Sequence, residues 1–289
     1  LRLLEAGRAA LGPDTAMVCV MSGNFVQRGD FALLRKHARA RAAVESGADL
    51  VLELPLPWAV SSAEGFAAGG VQALAATGVV EHLLFGSECG DVSALERVAA
   101  ALLAPSFRDR LREVLPGAVS FAAARQRALT GLLPEEDAAL LESPNNILGI
   151  EYCKAILAQG AALTPLALPR LGAAHGGGRP GEHNGIPMAS ASYLRSLTVE
   201  DWEPYVPPRA AALYTRAAAA GLLADGSKFE VAVLALLRAK PEADFAAVRG
   251  VSEGLEHRLA AAVREATSLD DLYTRLKTKR YPHARLRRL

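Results

Sequence analysis

The sequence predicts an α/β fold in which a parallel sheet is followed by an all-helical region. Short apolar runs at 16–20, 49–54 and 81–85 recur about every 32 residues, and helical patterns separate them. That spacing fits one βαβ unit, whose crossover makes the strands parallel. After about residue 205 every pattern is helical. We therefore expect two domains, 1–203 and 204–289.

Turn-forming residues punctuate the first half. Gly47 and Gly78 are placed as residues that follow a helix, and Pro55 stops the second strand. Helices are expected at 1–10, 35–46 and 62–76, alternating with the three strands.

The second half is mostly helical. Prolines at 105, 116 and 134 break a helical stretch over 92–141, and a new helix begins at Ser143. A short strand over 164–168 precedes a glycine-rich loop at 171–185, which we expect to be mobile. Further helices are predicted at 209–222, 228–238, 253–266 and 269–279, the last with Ser268 as its N-cap.

Composition excludes several classes of protein. With 289 residues, of which 51% are hydrophobic and 22% charged, the chain can bury a large core and is not disordered. Its three cysteines are far apart and form no CxxC pair, which argues against a disulfide framework or a structural zinc site and favours the cytoplasm. No apolar run reaches the roughly 20 residues that span a bilayer, and no secretory signal pattern is present.

The net charge of +1 conceals a basic segment. Residues 277–288 (KTKRYPHARLRR) hold six Lys or Arg and no acid, so the rest carries 26 basic against 31 acidic residues, a net of −5. Such a segment indicates a polyanionic partner such as nucleic acid. The basic segment is explained equally well as a solvated helix end, whose positive charges complement the negative end of the helix dipole.

Polar residues follow each predicted strand, where α/β sheets place their ligands. These are the loop 21–30 (MSGNFVQRGD) with Ser22, the carboxylate Glu53, and the segment Gly86-Ser-Glu88. Gly86 lets a backbone approach a ligand, and the amides after it are placed to face an anion, but a tight turn explains the glycine as well. Asn145 and Asn146 stand at a helix start, where asparagine is a common cap.

Two arginines are placed to clamp phosphates. Arg170 and Arg195 follow a strand and a helix start, although either also fits a surface ion pair. The sequence contains no P-loop, GxGxxG, GxSxG or HExxH motif, which argues against P-loop enzymes and common hydrolases. His175 and His183 lie in the glycine-rich loop without ligand spacing, so no metal site is predicted.

Seven segments resemble one family in the same order along the chain. They are MSGNFVQRGD at 21–30, SGADLVLELPLPWAV at 46–60, FGSE at 85–88, PNNILGIEY at 144–152, SAS-x-x-R at 190–195, EGLEHR at 253–258 and LKTKRY at 276–281. On these motifs the chain resembles the bacterial tRNA(Met) cytidine acetate ligases, nucleotidyltransferase-like proteins of the HxGH superfamily. The resemblance implies a Rossmann-like nucleotidyltransferase domain followed by a helical, tRNA-binding domain.

The resemblance also implies a reaction and its residues. Such enzymes use ATP, with Mg²⁺ expected, to convert acetate to acetyl-adenylate. They then acetylate N4 of the wobble cytidine of elongator tRNA(Met). By position, the ATP contacts are Gly86, Asn145 and Arg170. Further phosphate or site residues are Ser22, Ser190, Ser192 and Arg195, and the tRNA contacts are Lys277, Lys279, Arg280, Arg285, Arg287 and Arg288.

One departure from the family concerns the chain start. The family begins with a strand and a loop of the type EYNPFHNGH, which carries its main catalytic histidines, and about a hundred further residues follow the matched region. Neither is found here, so we expect a truncated sequence that lacks the first strand and is inactive alone. Two other functions stay open: another adenylyltransferase that makes a nucleotide cofactor, and a non-catalytic tRNA-binding protein.

Overall fold

The computed structural model describes residues 2–118, 120–170, 180–183 and 185–289. Two parallel strand pairs form its α/β part. Strand β1 (Val18–Ser22) pairs with β4 (Leu50–Leu54), and β5 (His82–Ser87) pairs with β6 (Thr164–Pro169). Two short antiparallel pairs complete the described strands: β2 (Phe25–Val26) with β3 (Asp30–Phe31), and β7 (Gly181–His183) with β8 (Ile186–Met188).

Helices occupy most of the remaining described chain. In the first half they are α1 (Arg2–Leu11), α2 (Lys36–Glu45), α3 (Leu56–Ala59), α4 (Ala63–Ala75), α5 (Val92–Leu103), α6 (Pro105–Val114), α7 (Phe121–Thr130), α8 (Glu135–Ala139) and α9 (Pro144–Gln159). In the second half they are α10 (Ala191–Ser196), α11 (Pro208–Ala219), α12 (Glu230–Arg238), α13 (Glu242–Ala246), α14 (Leu255–Glu265), α15 (Leu269–Leu276) and α16 (His283–Leu286). Short 3₁₀ turns cover 115–117, 140–142, 199–205 and 226–229.

The predicted alternation of strands and helices is confirmed. Strands β1, β4 and β5 begin at Val18, Leu50 and His82, a spacing of 32 residues, and they are parallel within their pairs. The first strand starts two residues later than predicted. Asp49 stays outside β4 because its carboxylate accepts hydrogen bonds from the Met17 amide and from Arg8, both at 2.7 Å.

The helical predictions differ from the structure mainly at their ends. The last predicted helix, 269–279, stops at Leu276, where Lys277 adopts an extended conformation. Its N-cap is confirmed, because the Ser268 hydroxyl accepts the Asp271 amide at 3.0 Å. The predicted helix ranges did not include the short helices α3, α13 and α16.

A cavity of about 560 Å³ lies between the two strand pairs. Its wall includes the first three residues of β1 and of β5, together with the residues that precede each strand, 15–17 and 79–81. Both strands therefore start along the same cavity.

The described residues form three apolar cores. The largest joins α4, α5 and α9 to β5, with Val71, Leu95 and Ile150 fully buried. A second packs α11 on α2. The third lies among the last helices, where Leu255 and Leu276 are almost fully buried. The division at residues 203 and 204 stays a prediction, with the 3₁₀ turn 199–205 spanning it and α11 packing on the α/β side.

Candidate nucleotide-binding site

The structure brings Gly86 and Arg170 together at the carboxyl end of the β5–β6 pair. Gly86 lies opposite Leu168, and the Arg170 amide donates to the Ser87 carbonyl at 2.8 Å. A Cβ on Gly86 would lie 3.2 Å from Cγ of Arg170, which is tighter than ordinary packing. The glycine therefore leaves room for the arginine stem to lie across the strand.

Asn145 completes this group from the first turn of α9. Its Nδ2 donates to Glu88 Oε1 at 2.6 Å, and its Oδ1 accepts from Arg170 Nη1 at 3.3 Å. The three residues predicted to contact ATP are thus in one cluster, and the asparagine fixes the position of the exposed guanidinium.

The carboxylate of Glu88 anchors the cluster. Besides Asn145 Nδ2, it accepts the Asn145 amide at 3.3 Å and the Asn146 amide at 2.7 Å. Burial raises the pKa of Glu88, but these hydrogen bonds outweigh it, so the pKa lies below its ordinary value. Glu88 therefore performs the capping of α9 from a neighbouring loop.

Two expectations from the sequence are wrong here. Neither asparagine caps the helix, because the amides that a cap would satisfy are bonded to Glu88. The amides that follow Gly86 do not face an anion either. Those of Glu88 and Cys89 donate to Oδ1 of the buried Asn146 at 2.9 and 3.1 Å.

The carboxyl end of the β1–β4 pair forms a second polar group. Ser22, the last residue of β1, accepts from Arg39 through its carbonyl at 3.0 Å, and the carbonyl of Gly23 accepts from the same guanidinium at 2.7 Å. Lys36, the first residue of α2, pairs with Glu53 at 2.5 Å. Sequence reasoning missed Lys36, whose signal was a lysine at a helix start soon after the loop 21–30.

The residues over 190–195 have local roles. The Ser190 hydroxyl caps α10 by accepting the Tyr193 amide at 3.1 Å, whereas Ser192 is exposed. Arg195 donates to the Ala191 carbonyl at 2.9 Å. Burial, followed by the nearby Arg28 cation, lowers the pKa of Arg195, so two positive charges lie close together.

The basic segment 277–288 divides into structural and exposed cations. Arg285 stacks on Tyr281 and donates to the Gly250 carbonyl, and Arg280 pairs with Glu253. Burial lowers the pKa of Arg288. Lys277, Lys279 and Arg287 are exposed, although Arg287 also lies over the Tyr273 ring at 5.5 Å. These last three are the cations best placed to meet a polyanion.

The described residues contain no group of three or more metal-ligating side chains, and none of their helices is long and apolar enough to cross a membrane. Outside the described residues lie the loop positions 171–179, which include His175, and position 184. Cys19, Cys89 and Cys153 are free thiols.

Comparison with known proteins identifies the family. The family described as HIGH Nucleotidyl Transferase matches residues 3–289. A tRNA(Met) cytidine acetate ligase from Syntrophomonas wolfei is 37% identical over the whole of this chain and 70% of its own length. The enzyme of that name from Clostridium perfringens is 34% identical over 94% of this chain and 69% of its own length.

Solved structures agree with the sequence comparison. The apo crystal structure of Thermotoga maritima TmcAL superposes with a TM-score of 0.87 at 35% identity, covering 99% of this chain and 69% of that protein. The same protein bound to alpha-thio ATP gives a TM-score of 0.85 at 33% identity, with the same coverage. The chain therefore belongs to the HIGH nucleotidyltransferase family, and within it to the tRNA(Met) cytidine acetate ligases.

Proposed function

We propose that this protein is an ATP-dependent ligase that acetylates N4 of the wobble cytidine of elongator tRNA(Met). The observation that carries the proposal is the hydrogen-bonded series Glu88–Asn145–Arg170 across Gly86. It holds a guanidinium at the strand end where nucleotides bind in α/β folds. The relatives named for this activity support the same reading.

The first step is adenylyl transfer to acetate. An acetate oxygen attacks the α-phosphorus of ATP, the bond to the β-phosphate oxygen breaks, and pyrophosphate leaves. The transition state spreads negative charge over phosphate oxygens, and fixed cations and N–H donors stabilise it. Arg170 supplies such a cation, and Asn145 keeps it in place.

Magnesium enters as the complex with ATP. Mg²⁺ is commonly held by one or two carboxylates together with substrate phosphates. The carboxylate nearest the cluster, Glu88, already accepts three hydrogen bonds from Asn145 and Asn146. The ATP phosphates would therefore hold the ion, as part of the substrate.

The second step transfers the acetyl group to RNA. The N4 amino group of cytidine attacks the carbonyl carbon of acetyl-adenylate, AMP leaves, and N4 loses a proton. The base must be splayed out of its stack to reach the anhydride. The helical domain, 204–289, would hold the tRNA through Lys277, Lys279 and Arg287, with Arg280, Arg285 and Arg288 supporting that surface.

Three further assignments belong to the proposal. Ser22, Ser190, Ser192 and Arg195 would form the outer part of the phosphate site. The loop 172–185 would shield acetyl-adenylate from water, although most of it lies outside the described residues. The free thiols fit a reducing cytoplasm, which is where tRNA is modified.

A reconstituted assay tests the function. Because residues 1–289 are expected to be inactive alone, the protein is tested at the full length of its relatives; it is incubated with ATP, acetate and tRNA(Met), and both pyrophosphate and N4-acetylcytidine are measured. We expect acetate-dependent pyrophosphate release together with acetylated tRNA. Pyrophosphate release with a different acceptor and no acetylated tRNA would indicate another adenylyltransferase instead.

A further inference from the structure

A small cavity of about 200 Å³ lies at the carboxyl end of the β1–β4 pair. Its lining residues are Gly23, Asn24, Phe25, Glu53, Leu54 and Leu56. At about 30 Å³ per water molecule, it has room for six or seven waters, the scale of one planar ring with a few substituents. Its walls combine apolar side chains with one amide and one carboxylate.

An aromatic surface extends from this cavity to the helical region. Phe25 and Phe31 have ring centroids 5.0 Å apart, and Phe31 and Phe229 are 5.2 Å apart. Phe25 is 38% exposed and Phe229 is 47% exposed. Exposed aromatic rings are the surfaces on which proteins stack unpaired bases.

The carboxylate of Glu53 has a fixed position beside this surface. Its Oε2 lies 2.5 Å from Lys36 Nζ, and a Cβ on Gly23 would overlap its Oε1. The absence of a side chain at Gly23 therefore lets Glu53 lie against the loop, while Lys36 aligns it. A carboxylate accepts hydrogen bonds and donates none when ionised, so it matches an amino group and repels a carbonyl.

Arginines lie in and near the same loop. Arg28 is exposed and close enough to Arg195 to lower the pKa of that guanidinium, although burial contributes more. The carbonyl of Arg287 lies against Gly29. Arg28 thus lies in the loop that carries Phe25, Arg195 lies near Arg28, and the backbone of Arg287 lies against Gly29, so positive charge is available near this loop for a phosphate backbone.

We propose that this cavity receives the target cytosine, with its ring on Phe25 and its N4 amino group donating to Glu53. Glutamate accepts from cytosine N4, whereas uracil presents a carbonyl oxygen at that position. The flanking bases would stack on Phe31 and Phe229. The inference rests on the proposed function and names the recognition site for its RNA substrate.

The cavity and the nucleotide cluster lie at corresponding ends of their strand pairs. The cavity lies at the carboxyl end of the β1–β4 pair, and the Gly86–Asn145–Arg170 cluster lies at the carboxyl end of the β5–β6 pair. Ligands of α/β sheets bind at the carboxyl ends of the strands. The proposal requires N4 of a base in the cavity to reach the acetyl-adenylate that forms at this cluster.

RNA binding by fluorescence anisotropy tests the proposal directly. The probe is an anticodon stem–loop with either cytidine or uridine at the wobble position. We expect the unmodified protein to prefer cytidine by about 5- to 150-fold. Glu53→Gln should reduce that preference at least about fivefold, because an amide both donates and accepts. Glu45→Gln is the matched control, since Glu45 is also ion-paired but lies outside the cavity.

Ring removal gives a second test. Phe25→Leu keeps apolar volume and should weaken binding of both loops by about 5- to 150-fold, whereas Phe25→Tyr should keep it. Phe121→Leu, an exposed phenylalanine on α7, is the control. Unchanged preference in Glu53→Gln, or unchanged binding in Phe25→Leu, would overturn this inference and leave the proposed function intact. Failure of the unmodified protein to bind either loop would overturn both.

Discussion

Replacing Glu88 tests whether the α9 start and the nucleotide site form one unit. The carboxylate accepts three hydrogen bonds, from the Asn145 amide, Asn145 Nδ2 and the Asn146 amide. Loss of a helix cap costs about 1 kcal/mol, and stranded donors add a similar amount. We expect Glu88→Ala to lower the free energy of unfolding by about 2 kcal/mol at neutral pH, and Glu88→Gln by about 1 kcal/mol, because one amide oxygen still accepts.

The pH dependence of this effect separates it from a packing defect. The pKa of Glu88 is lowered by folding from its ordinary value of 4.5. Its contribution is therefore fully present above pH 4.5 and is lost as the pH falls through the lowered value. Urea unfolding of the unmodified protein and of Glu88→Gln at about pH 7 and about pH 3.5 measures how the difference in their free energies of unfolding changes with pH.

Glu96→Gln, on the exposed face of α5, is the control and should change stability by less than about 0.5 kcal/mol. An equal difference between Glu88→Gln and the unmodified protein at both pH values would refute the reasoning, because an ionised acceptor could not then be its source. The affinity of Glu88→Gln for ATP, measured by titration, should also be lower, since Asn145 loses the carboxylate that holds it in position.

Three further changes probe the proposed contacts. In the full-length protein, Arg170→Ala should reduce kcat/KM for ATP by the equivalent of about 2–4 kcal/mol if the guanidinium meets phosphate in the transition state, and unchanged ATP kinetics would remove it from the site. Gly86→Ala should raise KM for ATP about tenfold by displacing the Arg170 stem, whereas Gly117→Ala, where a Cβ meets nothing within 4 Å, should not. Replacing Lys277 and Lys279 together with Gln should make the logarithmic salt dependence of tRNA binding shallower by about 1–2, measured from 50 to 200 mM salt; an unchanged slope would place the tRNA elsewhere.

The order of elements was predictable because its signals are local. Alternation of apolar runs with helical patterns, and the glycine and proline residues between them, depend on neighbours a few residues apart. The conformation of Gly47, with φ of 107°, and the start of α6 at Pro105 follow directly from residue type. These features needed no knowledge of tertiary contacts.

The contacts that build the site were not predictable from the residues alone. Glu88 and Asn145 are separated by 57 positions, so nothing local indicates that one caps the helix of the other. Asparagine at a helix start has a strong capping preference, but here a carboxylate from another segment satisfies the same amides. Phe25 and Phe229 likewise meet Phe31 only after the chain has folded.

A buried ion-pair network explains how α9 holds Asn145 at a fixed position. Glu151 is 2% exposed and lies 2.6 Å from both Arg125 and Lys154, and Lys154 also reaches Glu64 on α4 at 2.9 Å. A buried carboxylate that loses its partners is costly, so rotation or sliding of α9 relative to α4 and α7 is opposed. The network thus fixes α9 at its middle, and Glu88 fixes it at its start. Together these two constraints set the position of Asn145 and, through its hydrogen bond, that of the Arg170 guanidinium.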